Sequence, residues 1–296
     1  MAHDPGPPTD SPEQDPRPLP VAATSTAVDP DLDRDGRLAL HDNVTGKGVN
    51  PIVYWIVRAF FQPFFHVYFR MTRIGREHIP SSGPVIFAAN HRSFLDPFIL
   101  GAMSRRPLYF VAKKELFRRP LQRWFLNSLG AFPIDRGNAD GDAMSTAKAI
   151  LERGDCVVIF PEGTRVRPGG LGTPKRGVGR LALETGAPVV PLAVHGTTHI
   201  RTGWKIRPHK VIVRAGRPLT FPHVEQPTGE LAKNVTDRIW PCIELQWNSL
   251  GGHVAETGIG VDPEKLRPEL APAIDRRALA AAPDDHDQRE ARSAGG

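Results

Sequence analysis

The chain has 296 residues, enough for one large α/β domain with flanking tails or for two small domains. Its formal net charge of +6 hides a segregation: residues 1–48 carry nine Asp/Glu against four Lys/Arg and residues 253–296 nine against six, which leaves 28 basic and 14 acidic residues between them. A body of net +14 suits an anionic partner, whether nucleic acid, a phosphorylated small molecule or an anionic membrane face, and two cysteines (Cys156 and Cys242) exclude a disulfide framework and favour the cytosolic side.

Residues 1–48 are rich in Pro, Asp, Ser and Thr and nearly free of aromatics, the composition of a disordered, dispensable tail, with no apolar core of a signal peptide. Residues 49–74 differ in kind. The run VNPIVYWIVRAFFQPFFHVYF, Val49 to Phe69, has Arg58 as its one firm charge. It is long enough to span a bilayer, but a central Arg costs about 2.5–3.5 kcal/mol on insertion scales and Pro63 breaks a helix. The expectation is two short helices lying in the membrane interface, with Arg70, Arg73 and Arg76 holding anionic headgroups. A spanning helix and a buried helix pair are the alternatives.

Residues 75–250 alternate short apolar strands with helical patterns. Strands are expected at Val85–Ala89, Leu108–Ala112, Ala131–Ile134, Cys156–Phe160, Val189–Val194 and Val211–Ala215. Helices fit at Pro97–Ser104, Pro120–Leu129, Asp142–Glu152 and Val178–Glu184, with a last one over Gly229–Leu250 interrupted by Pro241. This interleaving predicts an α/β fold, a mostly parallel central sheet flanked by helices. Residues 251–296 return to Gly, Pro, Ala and acidic residues, a second flexible tail.

The chain is organised around Asn90-His91-Arg92-Ser93-Phe94-Leu95-Asp96-Pro97, between the first of those strands and the first helix. On one continuous helix His91 and Asp96 would diverge by about 140°. A strand–loop–helix corner instead lets the carboxylate fold back onto the imidazole, fixing one tautomer and freeing the other nitrogen for a substrate proton. A strand-end His is also commonly just hydrogen-bonded, and Asp before Pro is commonly a helix cap. These eight residues leave both readings open.

Cations then follow strand after strand: Lys113 and Lys114, Arg136, and Arg165 in Pro161-Glu162-Gly163-Thr164-Arg165. Each alone reads as a solvated charge, but a parallel sheet gathers such ends on one side, where α/β ligands bind. Gly163 admits close backbone approach, Thr164 offers a hydroxyl, Arg165 a fork for phosphate oxygens, and Glu162 is placed to orient that fork. Lys175, Arg176 and Arg180 add a fourth basic group before a helix.

Together these segments resemble the glycerolipid acyltransferases, typified by 1-acylglycerol-3-phosphate O-acyltransferase. Asn90 to Asp96 is similar to that family's His-X4-Asp motif, and Gly130-Ala131-Phe132-Pro133-Ile134-Asp135-Arg136 to its second motif. Phe160 to Arg165 resembles the third and Ala187-Pro188-Val189-Val190-Pro191-Leu192-Ala193-Val194 the fourth, all in family order. The resemblance implies transfer of a fatty acyl group from acyl-CoA or acyl-carrier protein to the free hydroxyl of 1-acyl-glycerol-3-phosphate, giving phosphatidic acid, without metal or other cofactor. Another lysophospholipid, aminolipid or glycolipid acceptor is the alternative. It assigns His91 as base and Asp96 as its orienter, with Lys113, Arg136, Glu162, Gly163, Thr164 and Arg165 binding the acceptor phosphate. It places the protein on the cytoplasmic face of the cell membrane, with an acyl thioester, a lysophospholipid and an anionic surface as partners. Val166 and Pro174 depart from the family pattern. Nucleic acid is the rival partner for the basic body, but no helix-turn-helix, zinc or RNA-binding signature accompanies it. An idle lipid-binding protein on the same fold is a second rival, opposed by the intact dyad.

Overall fold

The computed structural model describes residues 34–134, 141–166, 169–202 and 205–252. In chain order the elements are α1 (Arg34–Gly46), α2 (Pro51–Tyr68), β1 (Thr72–Ile74), β2 (Val85–Ala89), α3 (Asp96–Met103), β3 (Leu108–Lys113), α4 (Pro120–Ser128), β4 (Ala131–Ile134), α5 (Gly141–Glu152), β5 (Cys156–Ile159), α6 (Gly177–Thr185), β6 (Val189–His195), β7 (Arg201–Thr202), β8 (Lys205–Ile206), β9 (Ile212–Ala215) and α7 (Gly229–Ser249). The apolar runs of the sequence become strands at their expected places: β2, β5 and β6 are covered on both faces, and β9 is buried on one.

The main sheet has the order β1-β9-β6-β2-β5-β3-β4. Strands β6, β2, β5, β3 and β4 run parallel; β9 opposes β6 and carries β1 parallel to itself. β2 is central, paired with β5 through Val85–Cys156 and with β6 through Ile86–Val189. The carboxyl ends of β2, β5, β3 and β4 therefore share one edge, as the strand-then-cation pattern requires. A separate antiparallel ribbon joins β7 and β8.

Alternation along β2 divides the core. Val85, Phe87 and Ala89 face a layer containing Phe65 of α2, Ile99 and Met103 of α3 and Leu126 of α4. Ile86 and Ala88 face Ala147 and Ile150 of α5, Leu181 of α6 and Ile239 of α7. In that second layer α6 and α7 nearly touch: a Cβ on Gly179 would lie 2.1 Å from the Ala232 carbonyl oxygen, so only glycine fits.

Two N-terminal expectations are corrected. Residues 34–46, read as part of a disordered tail, form α1, which buries Leu40, His41 and Val44. His41 Nδ1 lies 2.6 Å from the Thr146 hydroxyl of α5, and Arg153 donates to the Val44 carbonyl. Few apolar residues suffice there because these polar side chains supply the anchorage. The aromatic run is one helix, α2, and not two, since Pro63 lies on its exposed side. There the lost ladder bond is offset by packing of Phe61, Phe64 and Phe65 against the core. Pro241 is likewise exposed in the uninterrupted α7.

The arginines also have partners that the sequence did not show. Arg58 donates to the carbonyls of Gly101 (2.7 Å) and Ser104 (2.5 Å), Arg73 to Ala102 (3.0 Å) and Arg76 to Met103 (3.1 Å). Arg58, Arg73 and Arg76 thus satisfy the last carbonyls of α3, where cations also complement the helix dipole. Arg58 is not the cost to membrane burial that its position in the run suggests. Arg70 is exposed. Among the described residues no helix is long and apolar enough to cross a membrane.

Candidate active site

β2 ends at Ala89, and the next residue ties that end down. The buried Asn90 side chain donates to the Val194 carbonyl (3.1 Å) and accepts from the Val194 N–H (2.8 Å), pairing like one more residue of sheet with β6. His91 follows at the carboxyl edge, 5% exposed, with its ring stacked on Phe160 at 4.0 Å between centroids.

The turn into α3 brings Asp96 back onto His91. One carboxylate oxygen, Asp96 Oδ2, lies 2.9 Å from His91 Nδ1 and accepts the backbone N–H groups of Arg92 and Ser93, each at 2.7 Å. The alternative reading of Asp96, as the cap of its own helix, does not hold. Instead Leu95 holds the cap position, and the carboxylate collects the N–H groups of the preceding loop. A fully buried carboxylate is costly, and three charge-assisted contacts on one oxygen offset that cost. With Nδ1 committed to Asp96, Nε2 is the nitrogen left for chemistry.

Glu162 is the second buried carboxylate. It does not orient Arg165: Oε2 accepts the His91 N–H at 2.6 Å and Oε1 the Gly172 N–H at 2.9 Å. Burial pushes its pKa up, opposed by those two N–H donors and by the charges of Arg92 and His91. The Val166 N–H in turn donates to the His91 carbonyl at 2.9 Å. Both backbone groups of His91 are therefore held by the Glu162–Val166 loop. Val166 contributes its N–H here, which is why the side-chain departure from the family pattern leaves this contact intact.

Within that loop Gly163 has φ +70°, and a Cβ there would meet the Lys175 side chain at 3.1 Å. Thr164 and Arg165 are exposed, and Arg165 has no ion pair or hydrogen bond among the described residues. Lys113, at the carboxyl end of β3, pairs with Glu115 at 3.0 Å in partial solvent. Arg136 lies outside the described residues. The structure therefore brings His91, Asp96, Glu162 and Gly163 into one cluster and leaves Lys113 and Arg165 on the same sheet edge.

Sequence reasoning missed the importance of Lys175. It lines a cavity of about 150 Å³ with His91, Gly163, Phe160, Val111 and Ile134. The cavity is otherwise apolar, and it brings a base, a cation and a greasy wall together. The only prior signal was Lys175's membership of a basic group before α6; its backbone N–H bond to the Pro161 carbonyl (2.8 Å) is what folds it over Gly163.

A family model described as Acyltransferase matches residues 70–195, the segment holding every residue of this cluster. A 1-acyl-sn-glycerol-3-phosphate acyltransferase of Bacillus subtilis is 33% identical over 146 residues, covering 49% of this chain and 71% of that one. The chain belongs to the acyltransferase family. A chloroplastic 1-acyl-sn-glycerol-3-phosphate acyltransferase of Arabidopsis thaliana is 31% identical over 150 residues, 50% of this acyltransferase-family chain and 42% of the plant protein. The chain spans less than half the length of the plant and algal relatives it matches. A solved 1-acyl-sn-glycerophosphate acyltransferase of Thermotoga maritima covers 70% of this chain and 95% of its own, at 25% identity and a TM-score of 0.49, too loose a likeness to argue from.

Proposed function

We propose that the protein transfers a fatty acyl group from a thioester donor, acyl-CoA or acyl-carrier protein, to the free hydroxyl of 1-acyl-glycerol-3-phosphate, giving phosphatidic acid. The observation that carries this reading is the buried His91–Asp96 pair, with His91 lining an otherwise apolar cavity beside Lys175. An alcohol is a poor nucleophile at neutral pH and a thioester is already activated, so one positioned base suffices. In this scheme His91 Nε2 takes the hydroxyl proton as the alkoxide oxygen bonds to the thioester carbonyl carbon. The tetrahedral intermediate collapses, the carbon–sulfur bond breaks, and the leaving thiolate takes the proton back from the His91 imidazolium, which restores the neutral base. Asp96 keeps Nδ1 protonated and offsets the charge that His91 acquires. The products are an ester and a free thiol; the scheme balances without a cofactor.

The acceptor phosphate is assigned to Arg165, Lys113, Arg136 and Lys175, and the membrane-facing role to the apolar surface of α2. Arg165→Ala and Lys175→Ala are expected to raise the acceptor KM with little change in kcat, and Arg165→Lys to rescue partly, because a point charge does not reproduce a bidentate contact. A panel of lyso-acceptors with and without phosphate, read by mass spectrometry, tests the assignment. Equal turnover of phosphate-free acceptors contradicts it.

A further inference from the structure

Beyond α2, the segment after β3 is also amphipathic in an unusual way. Residues 113–123 read KKELFRRPLQR, with five basic residues against one acidic. A 3-10 turn, Lys114–Phe117, leaves the sheet at the carboxyl edge that bears His91, and α4 follows. Phe117 and Leu126 are buried in the core. Leu116, Leu121 and Trp124 are not: they are 44%, 76% and 53% exposed. Leu121 and Trp124 stand one helical turn apart on one face. α4 packs beside α2, whose Ile52, Ile56, Phe60 and Val67 are also exposed, and Phe94, between His91 and Asp96, is 41% exposed. Lys113, Arg118 and Arg119 are exposed around these side chains. Apolar tips within a collar of cations complement an anionic bilayer, whose headgroups attract the collar and whose acyl region takes the tips.

We propose that the Lys114–Phe117 turn and α4 form a second membrane-inserting element, which together with α2 rests the catalytic edge of the sheet on an anionic lipid surface. The proposal deepens the acyltransferase reading and takes its purpose from it, but binding is measured without turnover, so the two fail separately. The chain is mixed with vesicles of phosphatidylcholine containing phosphatidylglycerol, and flotation is compared for the wild type and the double variant Leu121→Ser/Trp124→Ser. At high salt the variant should bind about tenfold more weakly or worse, because burying half of these two side chains already carries that much. Arg118→Glu/Arg119→Glu should weaken binding at low salt only. A second reading needs no loss of binding: the emission lost in Trp124→Phe should be quenched in the wild type by lipids brominated on their acyl chains. The proposal is overturned if that emission is unquenched, or if the serine variant floats within about twofold of wild type. It is also overturned if the lipid-free chain is a dimer that the serine variant dissociates, because the surface is then a contact between copies.

Discussion

Asp96 Oδ2 holds the shape of the loop and the tautomer of the imidazole at once, and the two tasks can be separated. In Asp96→Asn the amide oxygen can take the place of Oδ2 and keep the Arg92 and Ser93 N–H bonds, while its NH2 group falls where Oδ1 is buried without a partner. We expect the variant to fold with a modestly lower Tm, yet to lose about 10²–10⁴-fold in kcat because the negative charge facing the imidazolium is gone. Loss of activity only in proportion to unfolding contradicts this. Glu162→Gln separates differently. A single amide oxygen serves one of the His91 and Gly172 N–H groups and leaves an NH2 group against the other, so kcat should fall more than acceptor KM rises. The carboxyl's raised pKa also fixes a pH signature. The folded state holds this proton more tightly than the unfolded chain, so its stability contribution is complete below the ordinary value of 4.5 and is lost as pH rises through the raised one. Denaturant titrations of wild type and Glu162→Gln should show wild type losing ground to the variant over that rise; a flat or opposite difference contradicts it. The His91–Asp96 pair was legible from spacing because both partners are side chains with distinctive chemistry. The partners of Glu162 were not, because backbone N–H groups of His91 and Gly172 carry no residue identity.

Helix α3 is eight residues long and carries Asp96 at one end, so what fastens the other end bears on the site. Arg58, Arg73 and Arg76 do the fastening, from α2, from β1 and from the turn after it. Burial, with the neighbouring guanidinium charges, lowers the pKa of Arg73 and Arg76 from the ordinary arginine value. Replacing Arg58 by Leu should cost about 1–3 kcal/mol of stability through two orphaned carbonyl contacts and the lost dipole partner. Arg73→Ala should lower Tm while leaving vesicle flotation unchanged. The reverse pattern, unchanged Tm with weaker flotation, would favour the headgroup role that the sequence suggested. A basic cluster after an aromatic run looks alike whether it meets lipid phosphate or a helix carboxyl end, so the α3 carbonyls were not legible as partners of Arg73 and Arg76. The parallel strands were legible, since continuous apolar runs bounded by Gly and Pro leave little choice. Continuity of α2 and α7 through Pro63 and Pro241 was not, since a proline's cost depends on which side of the helix it faces.

At the scale of the molecule, the sheet collects on one edge what the chain scatters between residues 90 and 166: the β2 corner, the β3 cation and the β5 loop. The body between the acidic ends extends further than composition suggested. Deleting residues 1–48 removes α1 with buried Leu40 and Val44. That deletion should lower unfolding stability by about 3–6 kcal/mol, by burial of two aliphatic side chains alone. Differential scanning calorimetry of the truncated and full chains checks it, and an unchanged Tm would mean that α1 is only loosely attached. The central claim is that His91 is the base of an acyl transfer, and one assay reaches it most directly. Full-length wild type and His91→Ala, shown equally folded by circular dichroism, are given 1-acyl-glycerol-3-phosphate with a long-chain acyl-CoA and, separately, an acyl-carrier protein thioester. Phosphatidic acid and free thiol are then followed together. The account predicts equimolar phosphatidic acid and thiol from wild type with at least one donor, and about 10²–10⁴-fold less from His91→Ala. Near-normal turnover by the folded variant, or no thioester consumption by wild type with either donor, would contradict it.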